Sequence, residues 1–133
     1  MFSRGLREIV LVVEDVQAST AFYRDVVGLE LQEEPSPDWA WFRAGDPDGR
    51  QWLGIHTGTL LFEKQPAPPG GERWGPIHYA FRVPMDELEQ AAAHVRDHGI
   101  EVFGPHQFDD VGRAYYFYDP DENLVEFYAY VDA

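Results

Sequence analysis

RAYYFYDPDENLVEFY, residues 113–128, predicts two β-strands joined by a tight turn. Aromatic and β-branched residues favour strands on both sides, and the central Asp119-Pro120-Asp121-Glu122-Asn123 has the composition of a turn. Side chains of a strand alternate between its two faces, so Val125 and Phe127 share one face and Glu126 lies on the other. A carboxylate buried in such a strand is unfavourable unless it meets a hydrogen-bond donor, a cation or a metal. The stretch therefore predicts that Glu126 contacts a hydrogen-bond donor, a cation or a metal.

Composition indicates one folded domain. The chain has 133 residues, of which 44% are hydrophobic and 15% aromatic, which is enough for a core but too short for two full domains. The absence of cysteine excludes a disulfide framework, a thiolate nucleophile and a cysteine-based zinc site. The sequence has neither an apolar run of membrane-spanning length nor a signal-peptide pattern, so we expect a cytoplasmic protein without a membrane partner.

The net charge of −14 bears on possible partners. It arises from 24 acidic residues against 10 lysines and arginines. Such a protein repels the phosphate backbone, so nucleic acid is not an expected partner. The negative charge favours cationic partners or metal ions, or serves solubility alone.

The chain repeats one pattern of elements. We predict two β-α-β-β-β modules, at about residues 6–63 and 76–130, joined by a Pro/Gly-rich linker at residues 65–75. The predicted strands are residues 7–13, 29–32, 39–43, 52–57, 77–83, 100–102, 113–118 and a last strand that contains Glu126, and the predicted helices are residues 15–27 and 85–98. The predicted fold class is α+β: the two modules of a single domain, 1–133, pair into a curved, open, mixed sheet with helices on its outer face.

Strand alternation places four ionisable residues on one face of the sheet. When the apolar residues of each strand face the helices, Glu8, His56, His78 and Glu126 fall on the opposite side. If the modules pair and curl, that side forms a shared concave cup.

Three stretches together resemble the vicinal oxygen chelate superfamily, which includes glyoxalase, extradiol dioxygenase, fosfomycin-resistance and bleomycin-resistance proteins. They are Asp15 with FYRDVVGL at 22–29, the strand that opens at His78, and GRAYYFYDPD at 112–121 running into Glu126. The resemblance covers about residues 6–130 and implies the superfamily fold and a homodimer. It does not single out one activity, because this fold hosts many.

The resemblance also implies a metal site. Metal-dependent members take ligands from the first, fifth and last strands, and glyoxalase-type members take one more from the fourth. His78 and Glu126 match the fifth- and last-strand positions, whereas Glu8 stands where the first-strand ligand is usually histidine. The fourth-strand glutamate aligns with Gly54, two residues before His56. A site of Glu8, His56, His78 and Glu126 would suit Mn, Fe, Ni or Zn.

The resemblance assigns roles in catalysis and substrate binding. Glu126 or Glu8 would act as the catalytic base. The simpler alternatives are an ion pair of Glu8 with Arg7 or Arg82 and an ordinary hydrogen bond between His78 and Glu126.

Four residues are candidates for substrate binding. Arg113 resembles an anion-holding arginine of fosfomycin-resistance enzymes, or it balances Asp109 and Asp110. Tyr116 and Tyr118 share a face and line the cup, or belong to the core. Trp52, with Trp39 and Trp41, forms an aromatic wall of the cup, or lies in the core or a dimer interface.

Two function hypotheses follow. The first is a divalent-metal-dependent enzyme, of lyase or dioxygenase type, that acts on a small oxygenated molecule by bidentate chelation and electrophilic catalysis. The alternative is a metal-free, bleomycin-resistance-type protein that sequesters a cationic drug by electrostatic attraction and aromatic stacking. His78 and Glu126 favour the enzyme, whereas Glu8 and the net charge favour sequestration.

Overall fold

A computed structural model describes residues 2–3, 5–45, 49–57 and 77–131. The fold is α+β, as predicted. The chain divides into two compact units, Met1–Trp74 and Gly75–Ala133, and each is described below by itself. The predicted linker at residues 65–75 lies outside the described residues. Among the described residues, no helix has the length and apolarity needed to cross a membrane.

The N-terminal unit has the predicted β-α-β-β-β order. Its elements are β1 (Glu8–Val12), α1 (Val16–Ala21) continued by a π-helical turn (Phe22–Val27), β2 (Glu30–Leu31), β3 (Trp39–Arg43) and β4 (Trp52–His56). The strand order is β1-β4-β3-β2, in which β1 and β4 are parallel and the other pairs antiparallel.

Local signals in the sequence define both ends of the first helical segment. The Asp15 carboxylate accepts hydrogen bonds from the backbone N–H groups of Gln17 and Ala18 at 2.9 and 3.1 Å, which satisfies donors that the helix start leaves free. Gly28 ends the segment in a left-handed conformation (φ 90°), and its N–H bonds to the Tyr23 carbonyl. A residue without Cβ is favoured there.

The C-terminal unit repeats the same topology. Its elements are β5 (His78–Arg82), a 3₁₀ turn (Met85–Glu87) leading into α2 (Leu88–Asp97), β6 (Phe103–Phe108), β7 (Gly112–Tyr118) and β8 (Leu124–Tyr130). The strand order is β5-β8-β7-β6, again with one parallel pair, β5 and β8.

Each unit buries the helix-facing side of its sheet. The N-terminal core contains Leu11, Val13, Val16, Tyr23, Phe42, Leu53 and Ile55, and the C-terminal core contains Leu88, Ala92, Val95, Phe117, Val125, Phe127 and Ala129. The burial of Leu11, Val13, Leu53, Ile55, Val125, Phe127 and Ala129 agrees with the predicted alternation, which assigns them to the helix side. The opposite face carries Glu8 and His56 in the N-terminal sheet and His78 and Glu126 in the C-terminal sheet.

The sixth strand differs from the prediction. Residues 101–102 are outside any strand, and β6 begins at Phe103 and runs through Gly104 and Pro105. Proline cannot donate to a strand ladder, so the sequence suggests a loop there. β6 is an edge strand whose pairing with β7 shifts register between Phe103 and His106, and an edge strand tolerates a proline.

A buried aspartate organises the turn between β7 and β8. Asp119 is 5% exposed, and its Oδ1 accepts hydrogen bonds from the N–H groups of Asp121 and Asn123 at 2.9 and 2.8 Å. Its Oδ2 accepts a third from Asn123 Nδ2 at 2.8 Å, and the Tyr79 phenol also hydrogen-bonds to this carboxyl group. The turn therefore holds β7 in register with β8, which pairs Tyr116 with Glu126.

Tyr79 makes stability sensitive to alkaline pH. Burial, followed by the negative charge of Asp119, raises the pKa of Tyr79 well above its ordinary value of 10.0. Above about pH 10 the unfolded chain releases the phenolic proton while the folded chain retains it, so the free energy of unfolding falls as pH rises. Urea denaturation between pH 9 and pH 11 is expected to show a smaller fall for Tyr79→Phe than for wild type. Equal falls in the two proteins would contradict this origin.

Candidate metal centre

Two adjacent parallel strands bring His78 and Glu126 together. The register of β5 and β8 places Ala80 beside Glu126 and His78 two residues before Ala80. The small Ala80 side chain leaves space for the His78 imidazole, whose Nε2 lies 2.8 Å from Glu126 Oε1. Glu126 is 6% exposed. Alternation places Glu126 on the face away from the core, and His78 supplies the polar partner that this buried carboxylate requires.

Tyr116 completes this group from the neighbouring strand. It pairs with Glu126 across the β7–β8 ladder, and the negative charge of Glu126 acts on its phenol. Its ring centroid lies 6.0 Å from that of His78 in an edge-on arrangement. Burial and then the charge of Glu126 raise the pKa of Tyr116, so the phenol keeps its proton.

An open cavity of about 460 Å³ surrounds the pair within the C-terminal unit. Its lining residues come from all four strands: His78, Ala80, Arg82, Phe108, Tyr116, Glu126, Tyr128 and Tyr130. Arg82 is the basic side chain among them. A concave site that combines aromatic walls with a few polar groups has the character of a small-molecule site.

The His78–Glu126 pair suits a divalent metal. The two donor atoms, His78 Nε2 and Glu126 Oε1, lie 2.8 Å apart on one face of the sheet. Imidazole and carboxylate are the donors that Mn, Fe, Ni and Zn accept. Among the described residues, no group of three or more His, Cys, Asp or Glu side chains is placed to hold a metal ion.

The N-terminal candidates Glu8 and His56 share the open face of their own sheet. The parallel register pairs Glu8 with Trp52 and Val12 with His56, so both candidates point away from α1. Glu8 forms an ion pair with Arg7, which is one of the simpler alternatives that the sequence offers. His56 Nδ1 is buried and has no hydrogen-bond partner in the described residues.

Three tryptophans form an aromatic surface on that face. The antiparallel register sets Trp39 beside His56 and Trp41 beside Gly54. Trp52, the predicted substrate-binding residue, lies under the Arg43 guanidinium at 5.3 Å from ring centroid to Cζ. The tryptophans are half-buried on the side opposite α1, which excludes a place in the core of the N-terminal unit.

Trp41 occupies the space in front of Gly54, the position that the resemblance predicts for a fourth-strand ligand. A Cβ added at Gly54 would lie 2.6–2.9 Å from three Trp41 ring atoms. The ring therefore leaves no space for a larger side chain at position 54.

Gly54→Ala is expected to lower the free energy of unfolding by about 1–3 kcal/mol, because the added methyl group overpacks against Trp41. Denaturant unfolding of the single and double variants measures this effect. In a Trp41→Ala background the same change is expected to be smaller by more than half. A penalty that is unchanged by Trp41→Ala would show that the strain lies elsewhere.

Arg113 does not line the C-terminal cavity, contrary to its predicted role there. It falls on the same face as Phe117, toward α2, and its Nη2 lies 3.2 Å from Glu89 Oε1. Glu89 Oε2 also accepts a hydrogen bond from the Tyr115 phenol at 2.5 Å. The physical reason is strand alternation, since Arg113 and Tyr116 are three residues apart and must face opposite sides. Arg113 therefore ties β7 to α2.

Tyr118 lies outside the cavity lining as well. It is 49% exposed and packs edge-on against Phe103 at 6.1 Å between ring centroids. Sequence reasoning missed Arg82, Phe108, Tyr128 and Tyr130 as lining residues. The signal was present for Arg82 and Tyr128, which share strand faces with His78 and Glu126.

Two β-α-β-β-β modules and a histidine–glutamate pair on an open sheet face define a repeat-built α+β protein with a candidate metal centre. Residues 5–127 match the family model of the Glyoxalase/Bleomycin resistance protein/Dioxygenase superfamily. The chain therefore belongs to this superfamily, and the resemblance seen in the sequence is confirmed.

Several characterised relatives are enzymes or resistance proteins. Glutathione transferase FosA of Serratia marcescens is 25% identical over 123 residues, covering 92% of this chain and 79% of FosA. FosX of Listeria monocytogenes, a fosfomycin resistance protein, is 26% identical over 129 residues, covering 94% and 89%. A FosX crystal structure with Mn(II) and sulfate superposes with a TM-score of 0.70 at 26% identity, covering 96% and 91%. Lactoylglutathione lyase from Agrobacterium tumefaciens gives 0.75 at 26% identity, covering 97% and 96%.

Proposed function

We propose that this protein is a divalent-metal-dependent enzyme that acts on a small oxygenated molecule, with His78 and Glu126 as two of the metal ligands. The observation that carries the proposal is the 2.8 Å contact between these side chains at the cavity. The FosX structure with Mn(II) makes manganese the first metal to test.

Each residue of the pair would have a defined task. A bound divalent ion supplies Lewis-acid catalysis by polarising substrate oxygens and stabilising negative charge. Glu126 would contribute a carboxylate ligand to the ion and could also serve as a proton acceptor. Tyr116, its neighbour across the β7–β8 ladder, would restrict the orientation of that carboxylate, as outer-shell neighbours of metal ligands do. Glu8 and His56 remain predicted ligands and are tested by the same metal titration.

Isothermal titration of EDTA-treated protein with Mn(II) tests the proposal. One saturable site per chain is expected, and the absence of saturable binding by Mn(II), Ni(II) and Zn(II) would contradict it. The names of the relatives make fosfomycin the first substrate to assay, with and without added glutathione. Consumption of fosfomycin that stops with EDTA and returns with Mn(II) would define the activity.

A second candidate function is metal-free sequestration of a drug. The surface of Trp39, Trp41 and Trp52 supports it, because flat ligands stack on exposed rings. Arg82 in the cavity counts against a cationic ligand. Binding of a cationic aromatic compound that persists in EDTA, together with no metal site, would favour sequestration over the enzyme.

A further inference from the structure

Arg82 is a cavity-lining cation without an acidic partner. It has no ion pair or hydrogen bond among the described residues. Four other arginines there pair with carboxylates: Arg7, Arg24, Arg43 and Arg113. The chain has a net charge of −14, so carboxylates are abundant in it. The Arg82 guanidinium faces the cavity without a carboxylate partner and is therefore available for an anionic ligand.

An aromatic wall adjoins Arg82. The β5–β8 register sets Arg82 beside Tyr128. The Tyr128 ring lies 5.5 Å from the Phe108 ring and 4.9 Å from the Tyr130 ring, between centroids. Gly112 makes room for this wall, since a Cβ there would lie 2.5 Å from the Tyr128 hydroxyl. The rings offer a flat apolar surface, and the Arg82 guanidinium at its edge is placed to bind an oxyanion.

This aromatic and cationic end is separate from the His78–Glu126 pair but belongs to the same cavity. Tyr128 follows Glu126 by two residues, or roughly 7 Å along the strand, and Arg82 follows His78 by four, or roughly 13 Å. A ligand that spans the cavity therefore presents oxygens to His78 and Glu126 at one end. At the other it presents an anionic group and a flat apolar part.

We infer that Arg82, Phe108, Tyr128 and Tyr130 form an acid-binding subsite. Arg82 holds the carboxylate or phosphonate of the substrate, and the rings stack on an aromatic or similarly flat group attached to it. This inference rests on the proposed function, because it assigns the substrate class of the same cavity. A substrate of this kind differs from fosfomycin, a small phosphonate that has no flat group to stack on the aromatic wall.

Titration of EDTA-treated protein with phenylphosphonate and methylphosphonate tests the subsite without any metal. Wild type is expected to bind phenylphosphonate about tenfold more tightly, because only that probe stacks on the rings. Arg82→Gln is expected to weaken both probes by about tenfold to 100-fold, since the oxyanion loses a charged donor. Tyr128→Leu is expected to weaken phenylphosphonate while leaving methylphosphonate within about twofold.

Arg50→Gln is the matched control, because Arg50 is an exposed arginine of the N-terminal unit, and it is expected to bind both probes as wild type does. Unchanged affinities in Arg82→Gln, or equal affinities of wild type for the two probes, would overturn the subsite. Arg82 is exposed, so Arg82→Gln should fold, and a thermal melt verifies this. Arg82-dependent binding in a protein that takes up no Mn(II) would remove the enzyme proposal and keep the subsite. Mn(II) binding together with phosphonate affinities that do not depend on Arg82 would keep the enzyme proposal and remove the subsite.

Discussion

Glu126→Gln is expected to weaken Mn(II) binding at least about 100-fold, equivalent to about 2.7 kcal/mol. The change replaces an anionic ligand by a neutral amide of the same shape. Removing a mere partner of a ligand already lowers metal affinity about 10–100-fold. The amide has the same shape as the carboxyl group and can still hydrogen-bond to His78, so the fold should persist. His78→Gln is expected to produce a loss of similar size.

The acidity of the protein makes a control necessary. With a net charge of −14, weak surface binding of Mn(II) is expected in any variant. Glu101→Gln removes an exposed carboxylate and therefore measures that background. Retention of wild-type Mn(II) affinity in Glu126→Gln, with Glu101→Gln also unchanged, would rule out Glu126 as a ligand.

Asp119→Ala is expected to lower the free energy of unfolding by roughly 3 kcal/mol or more. The carboxylate accepts three hydrogen bonds within the β7–β8 turn and another from Tyr79. Each buried donor left without an acceptor costs about 1–3 kcal/mol. Urea unfolding monitored by circular dichroism measures the loss, which is a large fraction of the stability of a typical domain.

Asp110→Ala provides the comparison for Asp119→Ala. Asp110 lies exposed in the preceding turn, so its loss should change the free energy of unfolding by less than about 0.5 kcal/mol. Asp119→Asn should be intermediate, because one amide oxygen still accepts while the amide nitrogen faces the donor of Asn123. If Asp119→Ala and Asp110→Ala were equally stable, the turn would not depend on the buried carboxylate.

Most of the fold was predictable because its signals are local. Asp15 and Gly28 delimit the first helical segment through capping chemistry, and apolar alternation sets the faces of the strands. β6 escaped prediction because Gly104 and Pro105 resemble a loop. Only the pairing of the strand at a sheet edge, which depends on tertiary structure, makes them compatible with a strand.

Part of the candidate site was predictable from the alternation of side chains along each strand. Alternation placed His78 and Glu126 on one face, and the structure brings their side chains into contact. The same rule would have assigned Arg113 to the helix side and Arg82 to the cavity. The role given to Arg113 came from its place in a motif, which carries no information about direction. The contact between Trp41 and Gly54 could not be predicted, because it depends on the β3–β4 register, which a single sequence does not specify.

Trp41 also restricts which side chains position 54 accepts. The resemblance predicts that a glutamate there would stand at the fourth-strand ligand position, but a side chain at position 54 collides with the indole ring. The substitution is therefore expected to be deleterious while the tryptophan remains and acceptable only when residue 41 is smaller. The two positions are expected to be epistatic, so the order in which they change matters.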